Sequence, residues 1–361
     1  LPVGYEPWQS FLRARALASL LGGCVQNQGL AASREPCEDY TVLEIAVDAS
    51  ARLRGLVGRE DGFALFYVDR RELRVLELDR TATPVSEARV LGSGNRYDPL
   101  DMARTADGYR LVTERLVDGR PEILTAQLND GGDATLRDVP VTMDGRGNKD
   151  PFVLARSDQN TWLTYRSRAN LVLGTIQDDR FAPAAELAPG DGVTSVQVLG
   201  IAEDGQGVVA LTSEDRSLVI HRFLADGTSS GDRDVLMRAV DPSAPATLAE
   251  GPAAVVFAEE QIEVRPVNGA RWGEPVGSLP LASAPTRISA TRAKDGHVRV
   301  AVVGADGRIE LLTPALGARQ TIRDGNGERA LVRPIGSGLL VAVQLNSPAR
   351  VELHRRCPHV E

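Results

Sequence analysis

GFALFYVDRRELRVLELDR, from Gly62 to Arg80, reads as a β-hairpin: a short alternating apolar strand, a charged turn at Arg70-Arg71, and a second alternating strand. The same pattern returns six times. It recurs as GYRLVTERLVDGRPEILTAQLND from Gly108, NTWLTYRSRANLVLGTIQDDR from Asn160 and QGVVALTSEDRSLVIHRFLADG from Gln206. Three more copies follow, AAVVFAEEQIEVRPVNG from Ala253, HVRVAVVGADGRIELLTPALG from His297 and GLLVAVQLNSPARVELHRRC from Gly338. Successive copies start 46, 52, 46, 47, 44 and 41 residues apart.

That period is the length of a four-stranded antiparallel blade, so the pattern predicts an all-β, seven-bladed β-propeller over residues 40–361. Each hairpin is preceded by an inner-strand candidate: ARLRGLVGR from Ala51, LDMART from Leu100, FVLARS from Phe152 and QVLGIAE from Gln197. ATLAE from Ala246, TRISATRA from Thr286 and ALVRPIG from Ala330 complete the series. Outer segments such as SEARVLGS and LRDVPVTM follow the first two hairpins. The last hairpin runs out at Cys357, while the strand-like YTVLEIAVD from Tyr40 has no hairpin of its own. Closing the ring with that N-terminal strand in the last blade joins the two facts and removes an exposed sheet edge. A six- or eight-bladed count, or a stacked β-sandwich, are the competing architectures.

The chain has 361 residues, 42% of them apolar, which is enough for a large core. Its net charge of −8 and 4% aromatic content speak against a nucleic-acid partner, which needs a basic stripe and stacking platforms. No run of eighteen apolar residues is present, and no P-loop, GxGxxG, GxSxG, HExxH or EF-hand pattern points to a cofactor.

Asp-Pro recurs where three inner strands begin: Asp98-Pro99, Asp150-Pro151 and Asp241-Pro242. Propeller symmetry would bring these aspartates to one mouth of the channel, where carboxylates bind a cation or handle protons. The same residues also serve as turn acceptors and strand starters. Arginines recur in the hairpins at Arg70-Arg71, Arg115, Arg166, Arg168 and Arg216. Of these, Arg166 and Arg168 join the aspartates as binding candidates for an anionic sugar or carboxylate. His354, Cys357 and His359 spell HxxCxH, but strand alternation sends His354 and Cys357 to opposite faces, so no metal site is expected.

Arg13-Ala-Arg15 followed by Ala16 to Cys24, with Leu21-Gly22-Gly23-Cys24 at its end, resembles a bacterial lipoprotein signal peptide. That resemblance implies a signal-like segment over 1–23, a lipid-bearing Cys24 and a tether over 24–39. It also implies export to the cell envelope, with a membrane contact through the lipid. An amphipathic helix from Trp8 to Leu21 is the other reading of this segment. With Cys24 taken by lipid, the remaining Cys37 and Cys357 would pair, because the start of a closing strand faces the end of its antiparallel neighbour. Cys24 with Cys37 is the rival pair.

KDPFVLARSDQNTWLTYRSR is similar to a strand pair of five-bladed glycoside hydrolases of the arabinanase and xylosidase type. Carried over, Asp98 would be the base and Asp150 the acid or its pKa-tuning neighbour. The sialidase SxDxGxTW turn is absent. The layout as a whole resembles outer-envelope propeller lipoproteins. The expected function is therefore a non-catalytic scaffold for an unidentified protein or carbohydrate ligand, with a carbohydrate-active enzyme as the alternative.

Overall fold

The computed structural model describes residues 39–59, 61–93, 99–105, 108–117, 120–129, 138–140, 148–155, 161–167, 170–177, 180–187, 195–201, 208–214, 217–224, 228–249 and 251–357. All fall in the second of two compact units, Glu38–Glu361. Among the described residues the strands form seven antiparallel sheets. After β1 (Tyr40–Ala46), the first sheet holds β2 (Arg52–Gly58), β3 (Gly62–Asp69), β4 (Glu72–Asp79) and β5 (Arg89–Ser93). The second holds β6 (Pro99–Thr105), β7 (Gly108–Val117), β8 (Arg120–Asn129) and β9 (Asp138–Pro140). The third holds β10 (Asn148–Ala155), β11 (Thr161–Ser167), β12 (Asn170–Gln177) and β13 (Arg180–Leu187). The fourth holds β14 (Ser195–Ile201), β15 (Val208–Glu214), β16 (Ser217–Phe223) and β17 (Ser229–Met237).

The fifth sheet holds β18 (Ala239–Thr247), β19 (Pro252–Ala258) and β20 (Gln261–Asn268), with β21 (Arg271–Trp272) and β22 (Gly277–Pro280) both paired to β20. β23 (Arg287–Arg292), β24 (Val298–Val303), β25 (Ile309–Thr313) and β26 (Ala318–Arg323) make the sixth. The seventh is β27 (Gly327–Ile335), β28 (Gly338–Asn346) and β29 (Ala349–Arg356), with β1 on the far side of β29. Tyr40 lies opposite Arg355 and Ala46 opposite Arg350, so the first and last strands of the series share one ladder.

The first strands of the sheets touch in a closed cycle: β2 meets β6, β6 meets β10, β10 meets β14, β14 meets β18, β18 meets β23, β23 meets β27, and β27 returns to β2. Second strands are the filling of this arrangement. Every residue of β28 but Asn346 is buried, as is every residue of β3 but Asp69. Each packs one face on the preceding sheet and the other on the next, because successive side chains alternate. Val298, Val300 and Val302 join a cluster with the fifth sheet, while Ala301 and Val303 join one with the seventh. Leu53, Leu65 and Leu76 pack with Leu340, Val351 and Leu353, so the first and seventh sheets share a core across the chain's two ends.

One inner strand departs furthest from the sequence reading, the others starting within four residues of it. β18 starts at Ala239, not Ala246. Pro242 and Pro245 suggest a break, but a first strand has a ladder neighbour on one side only, so a missing N–H is tolerated there. The register shift between Val240 and Ala244 absorbs the intervening residues as a bulge.

Candidate functional site

The predicted aspartates can be placed by backbone. Asp150 lies near the start of β10, inside the register shift between Lys149 and Phe152. Asp241 lies near the start of β18, inside the shift between Val240 and Ala244. Asp98 falls outside the described residues, although Pro99 beside it begins β6, whose register shifts immediately afterwards. Asp150-Pro151 and Asp241-Pro242 therefore each meet a ladder irregularity at the entry of a first strand. Arg166, at the exit of β11, is paired with Lys149. Arg168 and Cys24 and Cys37 lie outside the described residues.

The densest described polar cluster is one that sequence reading did not find. Glu352 on β29 is fully buried. Its carboxylate accepts from Arg323 Nε at 2.7 Å and Arg323 Nη2 at 2.5 Å, the arginine coming from β26 of the neighbouring sheet. It also accepts from Arg350 Nε at 2.5 Å and pairs with His354 Nε2 at 2.8 Å. Arg350, Glu352, His354 and Arg356 are two apart on one strand, so they share a face. Burial pushes the Glu352 carboxyl up, but the bonds from Arg323 and His354 outweigh it and hold the group below its ordinary value.

His354 is 1% exposed and its ring nitrogens both face protein groups. Nδ1 stands 3.3 Å from Arg356 Nη2 and 3.3 Å from the Thr41 hydroxyl of β1. A guanidinium only donates, so Nδ1 must accept and Nε2 carries the proton toward Glu352. The ring is neutral. Burial, against the opposing bond to Glu352, lowers its pKa in the same sense. Asp39 accepts the N–H of Cys357 at 2.7 Å and lies 4.0 Å from Arg356, and Gln320 of the sixth sheet donates to it as well. Together these groups bind the outer strand of the sixth sheet, the last strand of the chain and the entry of β1.

A second tie joins the seventh sheet to the first. Gln344, 3% exposed on β28, accepts the Leu53 N–H at 2.7 Å and donates to the Ala51 carbonyl at 2.9 Å. Its amide thus acts as an additional peptide group at the entry of β2, and a buried amide needs both partners.

No protein-family model matches the chain, and no curated protein does. Solved structures share the fold at a distance. The chain aligns with the WD40 β-propeller domain of Doa1 over 88% of its own length and 96% of that chain, at 12% identity and TM-score 0.51. The fold is that of a β-propeller. BBS1N in complex with ARL6DN aligns over 90% of this chain and 98% of that one, at 10% identity and TM-score 0.59. A prolyl endopeptidase aligns over 84% of this chain but 46% of its own, at 13% identity and TM-score 0.55. At such identities the likeness is one of fold.

Within the propeller, Cys357 is 8% exposed. His354 spends its nitrogens on Glu352, Thr41 and Arg356, and His359 lies outside the described residues. A cleft of about 100 Å³ opens beside the sixth sheet, lined by Ser283, Asp306, Arg308, Glu310 and Arg319. Its arginines are engaged by carboxylates, Arg319 with Glu310 at 3.7 Å and Arg308 with Asp324 at 3.1 Å.

His221 on β16 is a second buried histidine, 7% exposed, and burial with the charge of Arg233 opposite lowers its pKa to about 4. The unfolded chain then binds the proton more tightly than the folded one. The stability held by neutral His221 is complete above pH 6.5 and is lost as pH falls toward 4. Between pH 7.5 and 5 the wild type should lose about 2 kcal/mol more than His221→Gln, measured by urea unfolding. Equal losses in the two proteins would show that His221 does not carry this dependence.

Proposed function

We propose that this chain is a non-catalytic binding or interaction scaffold of the bacterial cell envelope, exported and anchored through lipid on Cys24. In this reading the seven described sheets are seven blades of one ring, closed by β1 in the last blade. The observation that carries it is the Glu352 cluster: the least exposed carboxylate among the described residues is engaged by donors from two sheets. A carboxylate so engaged has little capacity left for a substrate and much effect on ring rigidity. BBS1N, a structural neighbour, is in complex with a protein, ARL6DN, which supports a protein ligand as one class, beside a carbohydrate. Disulfide pairing of Cys37 with Cys357 belongs to the same proposal and is supported by Asp39, two residues after Cys37, accepting the Cys357 N–H.

A second reading, a carbohydrate-active enzyme using Asp98 and Asp150, is favoured by the matching strand-entry positions of Asp150 and Asp241. A panel of arabinan, xylan and sialylated glycans separates the two. The scaffold reading expects no hydrolysis above buffer, and Asp150→Asn should leave any glycan affinity within twofold. Turnover that Asp150→Asn abolishes would overturn it in favour of the enzyme.

A further inference from the structure

The first strands of the ring are unequally charged. β23 carries Arg287 and Arg292 and no acid; β27 carries Arg329 and Arg333 with Glu328; β2 carries Arg52 and Arg54 and no acid. These three strands are consecutive in the cycle, since β23 touches β27 and β27 touches β2. The four first strands on the other side are different. β6 carries Asp101 and Arg104, β10 carries Lys149 and Asp150, β14 has no charge, and β18 has Asp241 alone. A chain of net charge −8 has thus gathered six arginines against one glutamate on a single arc.

The arc reaches solvent. Arg287 and Arg292 are exposed, the other four are partly so, and the Arg52 side chain is 44% exposed. Each of these strands ends its sheet, with a hydrogen-bonded neighbour on one side only. Because the first strands touch in a cycle, that free edge faces the space the cycle encloses. Glu328 is the acid within the arc, 3.9 Å from Arg52 and also bonded by Gln344. Like charges gathered along a confined wall repel, and low-dielectric walls focus their field on whatever enters. Guanidinium groups also grip oxyanions through paired N–H donors.

We propose that β23, β27 and β2 form an anion-binding wall of the central channel, and that its ligand carries two or more oxyanion groups, carboxylate or phosphate. This rests on the scaffold reading and names the chemistry of what the scaffold holds. Arg287 and Arg292 sit at opposite ends of β23, about 16 Å apart along the strand. A ligand with separated charges fits such a wall better than a single small ion.

The test is titration calorimetry of the whole protein at low salt with tripolyphosphate and, separately, citrate. The wall should bind at least one probe, weaken with added salt, and lose at least tenfold in affinity in Arg52→Gln/Arg287→Gln/Arg292→Gln. Binding of tripolyphosphate alone assigns a phosphate ligand; competition by citrate extends it to carboxylates. Arg70→Gln/Arg71→Gln, an exposed pair in the β3–β4 turn, should bind as the wild type does. Thermal unfolding of each variant checks that the ring is intact. No heat with either probe, an unchanged triple variant, or an equal loss in the turn variant overturns the wall. Cleavage of tripolyphosphate, seen by phosphorus NMR, would instead sink the scaffold reading while leaving the wall in place.

Discussion

Glu352→Ala should lower the stability of the ring by about 3 kcal/mol, among the larger effects available to a single polar substitution. Removal of the carboxylate leaves Arg323, Arg350 and His354 without their shared acceptor in a place that water scarcely reaches. The arginines keep part of their solvent, with side chains 33% and 28% exposed, so they can turn outward and moderate the loss. His354 has no such escape. Glu352→Gln keeps the shape and one acceptor oxygen, and should cost roughly half as much. Denaturant midpoints at pH 7.5 measure both, with the slope checked for a change in cooperativity. A Glu352→Ala protein as stable as the wild type would mean that the cluster does not hold β29 to the sixth sheet.

Loss of the proposed Cys37–Cys357 bond should be larger still. It would close a loop spanning 320 residues, and chain entropy assigns such a cross-link on the order of 5 kcal/mol, reduced where the unfolded chain keeps structure. Cys37→Ser/Cys357→Ser should fall by several kcal/mol in urea, and its first region to exchange amide protons should be β1 against β29. β1 is the least buried partner in that ladder, with Tyr40, Thr41, Glu44 and Ala46 exposed. A double variant within about 0.5 kcal/mol of the wild type would contradict a bond at the ring's seam.

The hairpins were legible because each second strand is sandwiched between sheets and must be apolar, while the repeat length fixes how often this happens. Turn chemistry was less informative. Arg70-Arg71 and Glu259-Glu260 both take positive φ at two successive residues, a conformation that Asn-Gly would announce and two charged residues do not. Near Pro242 and Pro245 the inner strand was read seven residues late, because proline's usual meaning fails on a strand with one free edge. Glu352 gave no signal at all. Its partners come from residue 323 on another sheet and from alternate positions of its own strand, a grouping that exists only once the ring is formed. The spacing of His354 and Cys357 drew attention as a metal motif, whereas the structure turns His354 to Glu352 and Thr41. Asp150 and Asp241 were legible as a repeated strand entry, and the fold adds that both lie in bulges.

Peptide mapping of native, unreduced protein from its own host tests the closure of the ring most directly. After blocking of free thiols and proteolysis, mass spectrometry should find a peptide linking Cys37 to Cys357, and Cys24 at an acylated N-terminus. That outcome would tie the segment entering β1 to the end of β29 by a covalent bond, beside the ladder end where Tyr40 lies opposite Arg355. A Cys24–Cys37 peptide, or Cys357 recovered with the blocking reagent attached, would contradict both the seam and the lipid anchor's place in it.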